Sequence, residues 1–221
     1  MKSHKISVPH ILLVVLLGLS TGMLVFAGSA PVPGHSNAFG QSLGQWLETY
    51  WRWVYEGTPL PNDAHGNTVV GKVVLLDIPQ TPGDGTPGSL DLTLSSGEAF
   101  ALPFFGVIGF EYSDGTFDPP EDVNLFKRLK ITVKVDGVVV IDHTNVMDYY
   151  AAIDFDPQIS FPEYGFSFAF LQGVGMVHQP LKVGKHVVTL DVVNTQAMSP
   201  AYGGGFAEYH NTWNLTVKAG R

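Results

Sequence analysis

Lys130-Ile-Thr-Val-Lys-Val135, Asp136-Gly137 and Val138-Val-Val-Ile-Asp142 form the stretch whose reading decides the fold. Asp-Gly between two alternating apolar runs is the strongest short-range signal of a β-hairpin, because both central residues of the favoured turn need positive φ. The same period-2 pattern recurs on either side. Downstream it predicts Phe166–Leu171, His186–Val193 and Asn211–Val217. In the last two, Val188, Leu190 and Val192 share a face with His186, and Trp213, Leu215 and Val217 share another. His210, Thr212, Asn214 and Thr216 take the polar side. Upstream, Val69–Ile78, Leu90–Leu94 and Glu98–Phe105 read as strands, with Pro103 marking an edge or a bulge. Asp154-Phe-Asp156-Pro reads as an acidic loop. About ten short strands at this spacing predict a mainly β chain, a single antiparallel β-sandwich of jelly-roll-like form.

One helix stands apart. Ser42 is a good N-cap, Gln45 completes a capping box, and Gly57 with Pro59 ends the run. Leu43, Trp46, Leu47, Tyr50, Trp53 and Val54 recur at helical spacing, and Trp51 and Tyr55 carry aromatic character round to the other side. A helix apolar on most faces is normally covered, so residues 42–57 are expected to pack on the sandwich of residues 58–221. The other reading makes Trp51 and Tyr55 an exposed platform for sugars. Residues 28–41, rich in Pro and Gly, read as an extended linker.

The first 27 residues form an address. Lys2 and Lys5 precede an uncharged apolar run, Ile11 to Ala27, and Val25-Phe26-Ala27 fits small-x-small cleavage. The expectation is a signal peptide and a secreted or periplasmic product; uncleaved, the same run would be a membrane anchor. Without it the chain keeps 10 basic against 20 acidic residues, a net charge of −10. An acidic chain lacks the basic face that a nucleic-acid partner needs. The 221 residues contain no cysteine, which excludes disulfides, thiolate metal sites and a thiol nucleophile. No G-x-S-x-G is present, and Gly203-Gly204-Gly205 reads as a flexible turn, not a phosphate loop.

Candidate chemistry is sparse. No histidine pair has short ligand spacing, so a cupin-type metal site would need His143, His178 and His210 to converge across strands. Asp114, Asp118, Glu121 and Asp122 crowd one loop and offer hard oxygens to calcium, against the simpler expectation of a solvated acidic loop and no cofactor. Polysaccharide cleavage would need a carboxylate pair, or a Tyr or His base; His143, His210, Tyr149 and Tyr209 are the candidates.

Phe39-Gly40-x-Ser42-x-Gly44-x-Trp46 followed by Tyr50-Trp51-x-Trp53 resembles the opening of a family of uncharacterised secreted bacterial proteins. Members carry this stretch and a tryptophan-rich helix directly after a signal peptide. Leu94-x-x-Gly97-x-x-Phe100-x-Leu102-Pro103, Val135-Asp136-Gly137 and Pro180-Leu181-x-x-Gly184-x-His186 are similar too, although many members have the cysteines this chain lacks. The resemblance implies export and a sandwich and implies no reaction. The expected role is therefore non-catalytic binding of a glycan or an envelope protein. A secreted lyase or hydrolase and a metal-binding sandwich are the alternatives.

Overall fold

The computed structural model describes residues 30–79, 86–194, 198–199, 202 and 208–220. The expected signal segment, most of the loop at 81–88 and the Gly203–Gly205 turn lie outside them. The chain is mainly β: among the described residues two five-stranded sheets face each other, and one long helix packs on the outside. Sheet one has the order β1 (Val69–Val70), β2 (Val73–Leu75), β4 (Ala99–Tyr112), β8 (Phe166–His178), β7 (Tyr150–Phe161). Sheet two has the order β3 (Gly88–Ser95), β10 (Glu208–Lys218), β9 (Gly184–Val193), β5 (Lys130–Val135), β6 (Val138–Ile141). A six-residue helix, α2 (Val123–Arg128), and a 3-10 turn at Val146–Tyr149 lie in the connections.

The turn between β5 and β6 has φ of 53° at Asp136 and 79° at Gly137, the left-handed pair that the hairpin requires. The expected faces hold: Val188, Val192 and Trp213 are fully buried, as are Ile131 and Val133 on the neighbouring strand. Pro103 sits at a register shift between β4 and β8, where a residue without an N–H costs no ladder bond.

Three expectations need correction. The pairing is not wholly antiparallel, because β2 runs parallel to β4 and β3 parallel to β10. The chain leaves sheet one for β3 and returns through the turn at Ser95–Glu98, and the two reversals restore its direction. Val69–Ile78 is not one strand but two short ones, reversed at Gly71 and Lys72. Asp154 and Asp156 are not in a loop but on β7, an edge strand. Its register shifts between Asp154 and Ile159, and acids, proline and irregular pairing there blunt an edge that would otherwise recruit another strand. In the segment expected as an extended linker, residues 28–41, the part from Ala30 onward touches sheet one: Val32 N donates to Val177 O at 2.8 Å beside a Pro31–His178 bridge.

The helix α1 (Leu43–Glu56) starts at Ser42 with both bonds of the capping box and ends at Gly57 in the left-handed conformation. It lies on the face of sheet one turned away from sheet two. Trp46 and Tyr50 are buried there against Val73, Leu75, Ala99, Ala101 and Val177. Their polar ends are satisfied: Trp46 Nε1 donates to Ala38 O at 2.8 Å and Tyr50 Oη to Leu76 O at 2.7 Å. Arg52 ties the helix sideways, donating to Glu48 at 2.9 Å, to Glu56 at 2.7 Å and to Pro157 O on β7, with its guanidinium over the Phe155 ring. Among the described residues no helix is long and apolar enough to cross a membrane.

The close fit of α1 depends on Gly175. A Cβ there would stand 2.7 Å from Leu47 Cδ2 and 3.0 Å from Leu102 O. Gly175→Ala is therefore expected to push the helix off sheet one at a cost of about 1–3 kcal/mol. Urea unfolding of the variant beside the parent checks this; an unchanged midpoint would show that the helix is not held by that contact.

Candidate functional site

At the end of sheet one farthest from residues 30–32, cross-strand pairing assembles an aromatic surface. Tyr112 pairs with Phe166 and Phe166 with Phe161, while Phe110 pairs with Phe168. Period 2 puts these rings on one face. The Phe110 and Phe166 rings stack at 4.6 Å and 7°, and Phe110 and Phe168 at 5.2 Å and 13°. The C-terminal turn of α1 joins them: Trp51 stacks on Tyr55 at 5.6 Å, and Tyr55 meets Phe168 edge-on at 4.7 Å. Trp51 and Tyr55, the two sugar-platform candidates of the sequence, are thus part of a larger cluster. Trp51 is half-buried and Tyr55 is 41% exposed.

Exposure rises toward the tip. Phe168 is buried, Phe110, Phe161 and Phe166 are half-buried, and Tyr112 is 38% exposed. Beyond them Tyr164 at 71% and Phe117 at 70% are, among the described residues, the two most exposed of the large apolar side chains. They sit on neighbouring turns, the β7–β8 turn and the loop after β4, which Ser113 N joins by donating to Gly165 O at 2.9 Å. The stacked sheet rings cover one another's faces, whereas Tyr164 stacks on Phe166 and leaves its other side to solvent.

On the opposite face of the same strand ends the residues are polar. Glu111 pairs with Ser167 and Ser167 with Ser160, and Gln158 Nε2 donates to Glu111 Oε2 at 2.5 Å. These groups line an open hollow of about 450 Å³ together with Ser113 and the two turns.

The histidines do not converge. His178 is wholly buried at the end of β8, stacked on Phe100 at 4.9 Å, with Nδ1 2.7 Å from Gln179 O. His143 is exposed after β6. His210 is on the outer face of sheet two, between Asp191 at 2.7 Å and Glu208 at 3.3 Å. Among the described residues no three His, Asp or Glu side chains are grouped to hold a metal ion.

The acidic loop is occupied with its own backbone. Asp114 accepts from Thr116 N and Oγ1, and Asp122 caps α2 through Asn124 N; these bonds hold both carboxyls below the usual carboxylate range. Asp118 accepts from Phe110 N and Tyr112 Oη, and Glu121 from Ser199 N. Gln172, buried on β8, clamps the loop by bonding both Glu121 N and Glu121 O.

The tyrosines proposed as bases are poorly suited to that role. Burial raises the Tyr149 hydroxyl, as does the nearby Asp148 charge. Burial raises Tyr209 strongly, and its hydroxyl donates to Phe104 O. A catalytic base needs the opposite shift.

The two carboxylates beside His210 raise its pKa by accepting hydrogen bonds from the ring, Asp191 first and Glu208 second. The folded state therefore favours the imidazolium. The resulting stability is complete below the ordinary histidine value of 6.5 and disappears as pH rises through the higher folded value. His210→Ala should cost about 0.5 kcal/mol at about pH 5.5 and nothing measurable at about pH 8.5, the exposed pair being screened by water. NMR titration of the ring checks the shift directly, with a midpoint at or below 6.5 contradicting it.

No family model matches the chain, and no curated protein is similar to it in sequence. Among solved structures, a chain from PbICP-C in complex with falcipain-2 is similar at 13% identity and a TM-score of 0.28, over 67% of this chain and 100% of that one. The CooA pilin subunit from enterotoxigenic Escherichia coli is similar at 14% identity and a TM-score of 0.21, over 64% of this chain and 97% of that one.

Proposed function

We propose that the protein is an exported, non-catalytic binding protein of the cell envelope or exterior, and that the aromatic end of sheet one is its contact face. The observation that carries this is the pair Phe117 and Tyr164. Both rings are held about 70% exposed on turns bonded to each other; Tyr164 stacks on Phe166 at the edge of the aromatic cluster, and Phe117 bridges Glu111 on the polar side of the same strand end. Large apolar rings exposed together at one end of a single chain mark an interaction site, and aromatic residues are enriched among those that carry binding energy.

Geometry supports placing this face outward. Residues 30–32 run beside Val177 and His178 at one end of β8, and the aromatic tip lies at the other end, about 40 Å away at the strand rise. Were residues 1–27 retained as an anchor, the tip would point away from the membrane. The positions of His143, His210, Tyr149 and Tyr209 lend the lyase or hydrolase reading no comparable support.

The test is binding of the labelled chain from Gly28 onward to intact cells and purified envelopes of the producing bacterium. Phe117→Ala with Tyr164→Ala should weaken it about tenfold or more while the melting temperature stays unchanged, both rings being exposed. Undiminished binding by the double variant would reject the aromatic face. Release of unsaturated or reducing-end products from a polysaccharide panel would replace the binding reading with the enzymatic one.

A further inference from the structure

We infer that the polar hollow behind the aromatic tip is a subsite for an uncharged saccharide unit, so that the partner recognised there is a neutral glycan. The inference rests on the binding reading above and names its ligand class. Three features carry it. The first is chemical content: Glu111, Ser113, Gln158, Ser160 and Ser167 converge on a hollow of about 450 Å³, within the size range of small-molecule sites. Among the described residues the three serine hydroxyls have no protein partner, and they are left to solvent or a ligand.

The second is spacing. Glu111, Ser167 and Ser160 are directly paired across β4, β8 and β7, a row of acceptors and hydroxyls about 10 Å long at the strand separation. Linked pyranose rings present hydroxyls at comparable intervals, and a carboxylate accepting from a hydroxyl makes a strong, directional bond. The turns bordering the hollow carry Tyr164 and Phe117, whose open rings suit the C–H faces of adjoining sugar units.

The third is charge. Residues 111–121 and 158–167 contain Glu111, Asp114, Asp118, Glu121 and Glu163 and no Lys or Arg. That field repels nucleic acid, anionic glycans and anionic lipid. A neutral glycan meets no such barrier, and its binding through hydrogen bonds and stacking is insensitive to salt.

The chain from Gly28 onward would be run by affinity electrophoresis through gels containing mannan, xylan, hydroxyethylcellulose or β-1,3-glucan. Chitosan and polygalacturonate serve as the cationic and anionic polymers, and phosphatidylcholine vesicles as a lipid surface. Expected is retardation by at least one neutral polymer, unchanged from low salt to about 0.5 M. It should weaken tenfold or more in Glu111→Gln and in Ser160→Ala with Ser167→Ala, at unchanged melting temperature. Salt-sensitive binding to chitosan alone would overturn the inference in favour of a cationic partner, and vesicle binding alone in favour of a membrane. Neutral-polymer binding that Phe117→Ala with Tyr164→Ala weakens, but the hollow variants do not, would overturn the subsite and leave the aromatic face standing. Envelope binding that depends on those two rings, with no neutral polymer bound, would overturn the glycan and again leave the face.

Discussion

Sheet one is buried on both faces along its middle, and most of the structure answers to that constraint. Val74, Phe100, Leu102 and Met176 point at sheet two, and Val73, Leu75, Ala99, Ala101 and Val177 point at α1. A chain without cysteine has no covalent means of holding these three layers, so apolar burial and satisfied polar ends must do it. The outward side chains are small or branched where Trp46 and Tyr50 descend, and Gly175 lets Leu47 reach the strand backbone. Trp213 performs the matching task from sheet two, its indole N–H donating to Asp77 O at 2.7 Å.

Burial on both sides cannot extend to the ends of strands as long as β4 and β8. Where α1 stops at Glu56, the outer face of sheet one continues for two further rows of side chains, and these rows are aromatic. Phe110, Phe166 and Phe168 shield one another by stacking, with Tyr55 at their helix-side edge. The surface then reaches solvent at the two turns. The candidate site is thus a consequence of length: the helix is shorter than the sheet it covers, and the uncovered remainder is apolar on one face and polar on the other.

Much of the fold was legible because its signals are local. The Asp136-Gly137 turn, the capping box of Ser42 and Gln45, the alternation of Trp213, Leu215 and Val217, and the break at Pro103 each concern residues within a few positions of one another. The strand at β7 was not legible. Asp154, Asp156 and Pro157 oppose strand formation by propensity, yet long-range pairing with β8 overrides them at an irregular edge. The parallel pairs were equally hidden, since they depend on where the chain crosses between sheets.

The candidate site shows the same division more sharply. Composition alone determined an acidic, cysteine-free chain, and periodicity determined a β-sandwich with one aromatic helix whose Trp51 and Tyr55 deserved notice. The signal for the rest was present in the alternation of Phe166 with Phe168 and of Phe110 with Tyr112, but alternation does not say which face is covered. Only the tertiary structure decided that these rings, together with Phe161 and Tyr164, join Tyr55 beyond the end of α1. Only it decided that His143, His178 and His210 stand on separate elements. The physical reason is register: which residues meet across strands is set by pairings between segments as far apart as Gly88 and Asn211, and by the layer packed above them. Neither leaves a mark in local sequence.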